Sequence, residues 1–372
     1  MSIPNDTLLN AAQRLHGYLR QAHWDGQALI GPDVGIRFNA RLGRFVKSYL
    51  NRIRWADNYA YLQAQGYWIM ANWLMLDLTG KPEYGHIAES CSAYVLARQC
   101  PEGYWEYPNP EWEQRIATVE GCFAALGLIE SYARTGQESF LTGALKWRRY
   151  LIEETGFQGS DNILAVNYFS NVPGGMVPNN TTLALLTFGK LAQVTSDNKY
   201  LKHCREMVAF LKQVQMPSGE LPYSVRTSEG GARPHFICYQ YNSFEFLDLA
   251  QYHRITGDDQ VWPILEKSAQ YLSHGLSAAN MARYDCHHEN PQVLYYTAAL
   301  GAALSRATTL GLGDFRRLAD RAFEQVLSQQ NADGGFRFFS RRNYGVLADT
   351  RSYPRNLAMM LDHLLLETQG NR

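Results

Sequence analysis

The stretch "RITGDDQVW", Arg254 to Trp262, decides the fold because it is one copy of a recurring phrase. "DLTGKPEY" ends at Tyr84, "ARTGQESF" at Phe140 and "QVTSDNKY" at Tyr200, and "TLGLGDF" at Phe315 is a looser copy. The copies recur at roughly 60-residue intervals, and self-similarity at a fixed period marks a repeat architecture. An apolar segment precedes each copy: Tyr59–Leu78, Ile116–Tyr132, Asn180–Val194, Tyr239–Ile255 and Val293–Leu310. A second segment with apolar residues at helical spacing follows, as in "YLKHCREMVAFLKQVQ" (200–215) and "FRRLADRAFEQVLSQQ" (315–330). Each repeat therefore reads as helix, tight turn, helix. Gly or Ser after Thr suits the C-terminal cap of the first helix, and the Asp, Glu or Ser that follows suits the N-cap of the second. Asp258 and Asp259 are turn and cap residues on this reading, not a catalytic or metal-binding pair.

The first helix of each hairpin is apolar or small on every side ("GCFAALGLIESYA", "YYTAALGAALSRA"), which marks a buried helix. The second carries Lys, Arg and Glu on one face and belongs outside. "RNLAMMLDHLLLET" (355–368) is an inner helix without an outer partner, and "DTLLNAAQRLHGYLRQ" (6–21) is an amphipathic helix without an inner one. Pairing them closes a ring of six inner and six outer helices: an all-α (α/α)6 toroid, one domain over residues 1–372. The inner-to-outer turns are short and the outer-to-inner connections long (22–57, 101–115, 154–178, 216–236, 275–291 and 331–353), so every long loop falls at one end of the barrel. That end also gathers the N-termini of the inner helices, whose free N–H groups favour anions, and long loops on a rigid scaffold are the place to expect function.

The bulk numbers narrow the function. A 372-residue chain with 46% hydrophobic and 19% charged residues can bury a large core. A formal net charge of zero argues against a general nucleic-acid or membrane-surface binder. The start, "MSIPNDTLLNAAQ", shows no basic segment leading into an apolar run, and no stretch reaches the ~20 apolar residues of a membrane span. The cytoplasm is the expected location, and the six cysteines are expected to be free thiols or metal ligands. Aromatic content is 13%, with 23 tyrosines, which suits a lined cavity as well as a core.

Three loops share a signature of Gln, then Gly, then an aromatic or apolar segment: "QCPEGYWEYP" (99–108), "QMPSGELPYS" (215–224) and "QQNADGGFRFF" (329–339). Here the chain resembles the QW-type repeats of α/α-toroid proteins, which include terpene cyclases, protein prenyltransferases and six-hairpin glycan enzymes. Such motifs tie an outer helix to the next loop and are not expected to be catalytic. "WEQRIATVEGCFAALGL" (112–128), "CYQYNSFEFLDLA" (238–250), "YDCHHENPQVLYYTAALGAAL" (284–304) and "FSRRNYGVLADTRSYPRNLAMM" (339–360) together resemble the toroid proteins of exopolysaccharide biosynthesis called VpsJ-like, over about Ala56 to Leu366. The resemblance implies the fold and a carbohydrate or polysaccharide pathway more firmly than it implies a reaction.

The residues of these stretches suit a sugar or uronate. Glu120, Asp285 and Asp349 are carboxylates for acid–base work, and Tyr344 or Tyr241 is placed to serve where a proton beside a carboxylate is removed. Arg115, Arg342 and Arg351, with Tyr223, Tyr241 and Asn242, form the expected substrate-binding set, because arginine forks match carboxylates and tyrosine faces stack on sugar rings. Each carboxylate also has a structural use: capping a helix, or pairing with Arg115, Arg351 or Arg355. A second constellation is Cys238 with Cys286 and His287, expected with Asp285 to face the central cavity. Two thiolates and an imidazole are zinc ligands that leave a fourth position open. The set resembles the zinc site of lanthionine-synthetase-C-like cyclases, although the glycines that follow the ligands in those proteins are missing. No cofactor is expected, zinc at this set belonging to the alternative reading, and the partner is a sugar or uronate substrate. The alternatives to a glycan epimerase, lyase or hydrolase are a zinc-thiolate enzyme acting on a peptide or prenyl group and a non-catalytic glycan-binding scaffold. No Asp-x-Asp-Asp acid motif of terpene cyclases is present.

Overall fold

The computed structural model describes residues 3–34, 43–50, 53, 55, 57–112, 114–160, 162–170, 175–225, 232–338, 349 and 351–370. Among them are thirteen α-helices and one short antiparallel hairpin, Phe157–Ser160 with Ile163–Val166. The inner helices are α3 (Leu62–Thr79), α5 (Thr118–Thr135), α7 (Pro178–Thr195), α9 (Cys238–Thr256), α11 (Leu294–Thr309) and α13 (Pro354–Gly370). The outer helices are α1 (Asn5–Ala22), α4 (Pro82–Ala97), α6 (Glu138–Tyr150), α8 (Cys204–Val214), α10 (Trp262–Leu272) and α12 (Arg316–Leu327). A short helix, α2 (Gly43–Tyr49), lies in the first long connection. Each inner helix packs on the next, and α13 returns to α3, so the ring is closed. The fold is the (α/α)6 toroid expected from the repeat. The β-hairpin in the third connection had no clear signal in the sequence.

The recurring phrase is a helix stop. Thr79, Thr135, Thr195 and Thr256 each donate a hydroxyl to the carbonyl four residues back, at 2.6 to 2.9 Å. The next residue, Gly80, Gly136, Ser196 or Gly257, takes a left-handed conformation with φ between 55° and 69°. That conformation ends an α-helix at little cost when glycine adopts it. Asp258 accepts from the Gln260 N–H at 3.0 Å, and Asp197 likewise from Lys199. Both cap a single 3-10 turn that precedes the outer helix, whereas α4 and α6 start without a side-chain cap. Capping by the residue after the turn therefore holds in only some copies. Asp259 pairs with His253 at 3.1 Å on the surface.

The three Gln–Gly loops are built alike. Gln99, Gln215 and Gln330 each donate to the carbonyl of the glycine four residues on (Gly103, Gly219, Gly334). Each also donates to a carbonyl of the next outer helix: Gly143 on α6, Ile264 on α10 and Ala11 on α1. The third clasp puts α1 in the outer-helix position next to α12, and α1 packs on α13. The glycines sit at φ 110°, 94° and 91°, against the carbonyls of Lys146, Lys267 and Arg14. The motif ties outer helices to loops, as the resemblance implied.

The first and last long connections are stitched together. His23 bonds Ser352 at 2.6 Å, Ser48 donates to Asp349 at 3.1 Å, Arg351 pairs with Asp57 at 2.7 Å and Arg355 pairs with Asp33. Lys47 of α2 joins Asp57 at 2.7 Å. Burial works against charge on Asp57, but Lys47 and Arg351 outweigh it and hold the carboxyl below its ordinary range. These bonds fasten the ring where the chain's two ends meet. No helix among the described residues is long and apolar enough to cross a membrane.

Candidate functional site

The long-loop end of the barrel converges on Arg355. Its guanidinium reaches Asp33 through two bonds of 2.7 and 2.8 Å and Gln63 through a third of 3.1 Å, and it lies 4.8 Å from the Tyr61 ring centre. Its charge also acts on Tyr107, Tyr168, Tyr241 and Tyr295. Tyr61 precedes α3, Tyr107 and Tyr168 come from the loops before α5 and α7, and Tyr241 and Tyr295 lie in the first turns of α9 and α11. With Arg355 on α13, all six sectors of the ring contribute one polar side chain. Tyr61 and Tyr107 meet edge to face at 5.9 Å, and Tyr223 extends the wall against Tyr241 at 4.9 Å. Tyr107, Tyr168, Tyr223, Tyr241 and Arg355 are half-buried, while Tyr61 and Tyr295 are buried.

Glu120 is a second carboxyl of this end, beside Asp33. One of its oxygens accepts from the Leu62 N–H at 2.6 Å and the Gln63 N–H at 3.2 Å, so it caps α3 from the first turn of α5. Burial pushes its pKa up to about 7, against the pull of Arg355 and of the two N–H groups. A carboxyl held there exchanges protons at neutral pH. Burial raises the phenol pKa values of Tyr61, Tyr107, Tyr168 and Tyr241, and Tyr295 stands at about 12. These phenols therefore remain neutral donors at physiological pH. Among the described residues, the buried polar atoms at this end without a hydrogen-bond partner include Tyr61 Oη, Asn180 Oδ1 and Nδ2, Gln240 Oε1 and Asn356 Oδ1. Asn356 borders a water-sized hollow shared with Tyr295, Arg337, Phe338 and Tyr353. Buried polar groups are usually satisfied, so such atoms mark places for water or ligand.

The other expected residues fall into different places. Arg115 is exposed at the rim, its guanidinium 5.5 Å from the Trp112 ring centre and 5.3 Å from that of Phe169. Among the described residues it has no carboxylate partner. Asn242 spends its amide on backbone: it accepts from the Leu221 N–H at 2.7 Å and donates to the Leu221 and Cys238 carbonyls. Gln65 clasps Leu29 in the same way, which makes Asn242 a loop anchor instead of a substrate-binding residue. Asp349 accepts from Ser48, the Arg351 N–H and the Tyr353 hydroxyl, and Arg351 is paired with Asp57, so both belong to the stitching of the ring. Asp285 accepts from the N–H groups of His287 and His288 at 2.8 and 2.7 Å and organises its own turn. Arg342 and Tyr344 lie outside the described residues.

The cysteine constellation departs from expectation in direction. The Tyr271 hydroxyl of outer helix α10 donates to Cys238 Sγ at 2.9 Å, so this thiol points between the helix layers and away from the axis. Burial raises the Cys238 pKa to about 12 and also raises that of Cys286. Cys238 and Cys286 are close, but His287 does not complete their set. Donor atoms group instead as Glu220, Cys238 and Cys286, and as His235, Cys286 and His287, each group within 4.8 Å. Glu220 and His235, bonded at 3.0 Å, carried no sequence signal that set them apart. Neither did Asp33, Tyr61, Tyr107 or Tyr168. All six cysteines are free.

No family model and no curated protein matches the chain. Solved structures do match in fold. A possible member of the GH105 family from Klebsiella pneumoniae has a TM-score of 0.72 at 11% identity, covering 100% of this chain and 95% of that one. Cellobiose 2-epimerase from Bacillus thermoamylovorans gives 0.71 at 12% identity, covering 96% and 99%. A polysaccharide lyase gives 0.69 at 11% identity, covering 98% and 97%. The whole chain thus has the α/α-toroid architecture of these proteins.

Proposed function

We propose that this protein is a carbohydrate-active enzyme that moves a proton at a ring carbon of a sugar or uronate, in the elimination, hydration or epimerisation class. The observation that carries the reading is Glu120: a buried carboxyl with a pKa near 7, within a ring of neutral phenols and one arginine contributed by every sector of the toroid. Its carboxylate takes the ring C–H proton. The electron pair passes into the adjoining carboxylate or carbonyl of the substrate, whose oxygen meets the neutral phenol donors. Return of a proton to the opposite face gives the epimer; loss of a neighbouring oxygen substituent gives the unsaturated sugar. Hydration is the reverse of that loss.

Two-carboxylate glycoside hydrolysis fits less well, because it needs a second carboxyl flanking the scissile bond. Asp33 is locked in its fork with Arg355, and Asp349 and Asp285 are held by their own turns. Aromatic faces and the rim arginines Arg115 and Arg233 suit a sugar carrying an acid group. Arg233 lies over Phe236 at 4.3 Å. The fold shared with a polysaccharide lyase and a sugar epimerase supports a sugar substrate. The test is incubation of the native chain and E120Q in D2O with neutral disaccharides and uronate-containing oligosaccharides, followed by NMR. Deuterium incorporation or an unsaturated product is expected from the native chain, and a loss of about 100-fold or more from E120Q. Full turnover by E120Q, or no binding of any sugar by the native chain, overturns the proposal. Tight sugar binding by both with turnover by neither leaves the glycan-binding scaffold in its place.

A further inference from the structure

We propose that Glu220, His235, Cys238 and Cys286 hold a structural zinc ion between the helix layers, with His287 at its exposed edge. Two long loops and the first residue of α9 supply the donors. Glu220 comes from the loop after α8, His235 from the lead-in to α9, Cys238 from the first residue of α9, and Cys286 and His287 from the loop before α11. Cys286 belongs to both donor groups, each spanning no more than 4.8 Å, and the Glu220–His235 bond of 3.0 Å joins the two. Two sulfurs, an imidazole nitrogen and a carboxylate oxygen are a tetrahedral zinc set, too soft for magnesium or calcium.

The surroundings fit a closed, structural site. Cys238 and Glu220 are each 1% exposed. Tyr271, stacked on Tyr239 at 5.0 Å, donates its hydroxyl to Cys238 Sγ, the kind of outer bond that orients a metal ligand. His235 and His287 meet edge to face at 4.9 Å. Ile237, between His235 and Cys238, holds φ at 48°, an uncommon conformation for a β-branched residue. That turn gives His235 and Cys238 a shared neighbour, Cys286, although the two fall in different donor groups. A zinc ion here would cross-link two long loops to the start of α9, off the axis and apart from Glu120. The inference is thus independent of the proposed reaction.

The experiment is metal analysis of the full chain purified under reducing conditions without chelator, together with cobalt(II) substitution and thermal melts of the native chain, C286S and H235Q. One zinc per chain is expected in the native protein, with a sulfur-to-cobalt charge-transfer band after substitution. C286S should lose both the metal and the band, and H235Q should hold zinc more weakly. Chelator should lower the native Tm and leave that of C286S unchanged. A reduced native chain that takes up neither zinc nor cobalt overturns the proposal, whether or not the variants fold. So does zinc that remains stoichiometric in both variants, because it would then lie elsewhere. A Cys238–Cys286 disulfide whose reduction gives no metal uptake also counts against it.

Discussion

Arg355, in the first turn of the last inner helix, donates two parallel hydrogen bonds to Asp33, 322 residues earlier in the chain. The pair joins the two ends of the ring and sits at the focus of the candidate site. Burial disfavours the charge on Arg355, but Asp33 and the nearby phenols hold its pKa well above the ordinary value. Asp33 is 1% exposed, so R355M removes the cation that gives this buried carboxylate two charge-assisted bonds. Breaking such a pair costs about 3–5 kcal/mol. Urea unfolding should show that loss, and the double variant D33N/R355M should recover part of it. A double variant as unstable as the sum of the two single changes would mean that the pair is not coupled.

Glu120 predicts a pH profile and a stability profile. Its folded pKa of about 7 lies above the ordinary carboxyl value of 4.5, so the folded state holds the proton more tightly than the unfolded one. The contribution is complete below pH 4.5 and is lost as pH rises to 7. The loss is on the order of 3 kcal/mol. E120Q should flatten this part of the stability curve. If Glu120 is the base, kcat/KM of the native enzyme should rise with pH through the same interval. A profile flat from pH 5 to 8 would place the base elsewhere.

The Gln–Gly clasps predict a scaffold defect without a change in chemistry. G219A puts a Cβ 2.2 Å from the Lys267 carbonyl oxygen at a residue with φ of 94°. Both backbone elements must shift, which should cost about 2 kcal/mol or more. Q330A removes the bonds to Gly334 and Ala11 and should cost about 1–3 kcal/mol. Circular dichroism melts would measure both losses. A variant as stable as the native chain would show that the clasp is dispensable.

Asp258 and Asp259 lie at the short-turn end, opposite the candidate site. D258N/D259N should keep turnover within a factor of a few, because Asn caps as well as Asp does. A loss beyond about tenfold in an intact fold would reopen the acid–base reading of the pair.

The sequence carried the toroid because its signals are local. A Thr-Gly stop reports a helix end wherever the chain goes, and an unpaired helix at each terminus asks to be paired. The site was only partly legible for a physical reason. An inner helix apolar on every side has no hydrophobic phase, so nothing in the pattern says which residues face the axis. Cys238 and Tyr241 are three residues apart, yet Cys238 meets Tyr271 of the outer layer while Tyr241 senses Arg355. Asp33, Glu220 and His235 sit in loops whose partners are set by how those loops lie over the barrel. No spacing rule encodes that.

His16 offers an acid-side test of the ring closure. On α1 its Nε2 bonds the Asn72 side chain of α3 at 2.8 Å, and its ring stacks on Trp68 at 4.5 Å. Burial lowers its pKa to about 4, opposed by the Asn72 bond. The folded state therefore favours neutral imidazole. This contribution is present above pH 6.5 and is lost as pH falls to 4, on the order of 3 kcal/mol. The sign is opposite to that of Glu120, so the two together should place maximal stability between their limits. H16Q cannot gain the proton and should lose this acid sensitivity while keeping a side-chain amide for Asn72. Limited proteolysis across the range adds a structural readout. If α1 closes the ring through His16, cleavage within residues 5–22 should appear in the native chain as pH falls towards 4, and later in H16Q. Cleavage that begins at the same pH in both would place the acid-sensitive contact elsewhere.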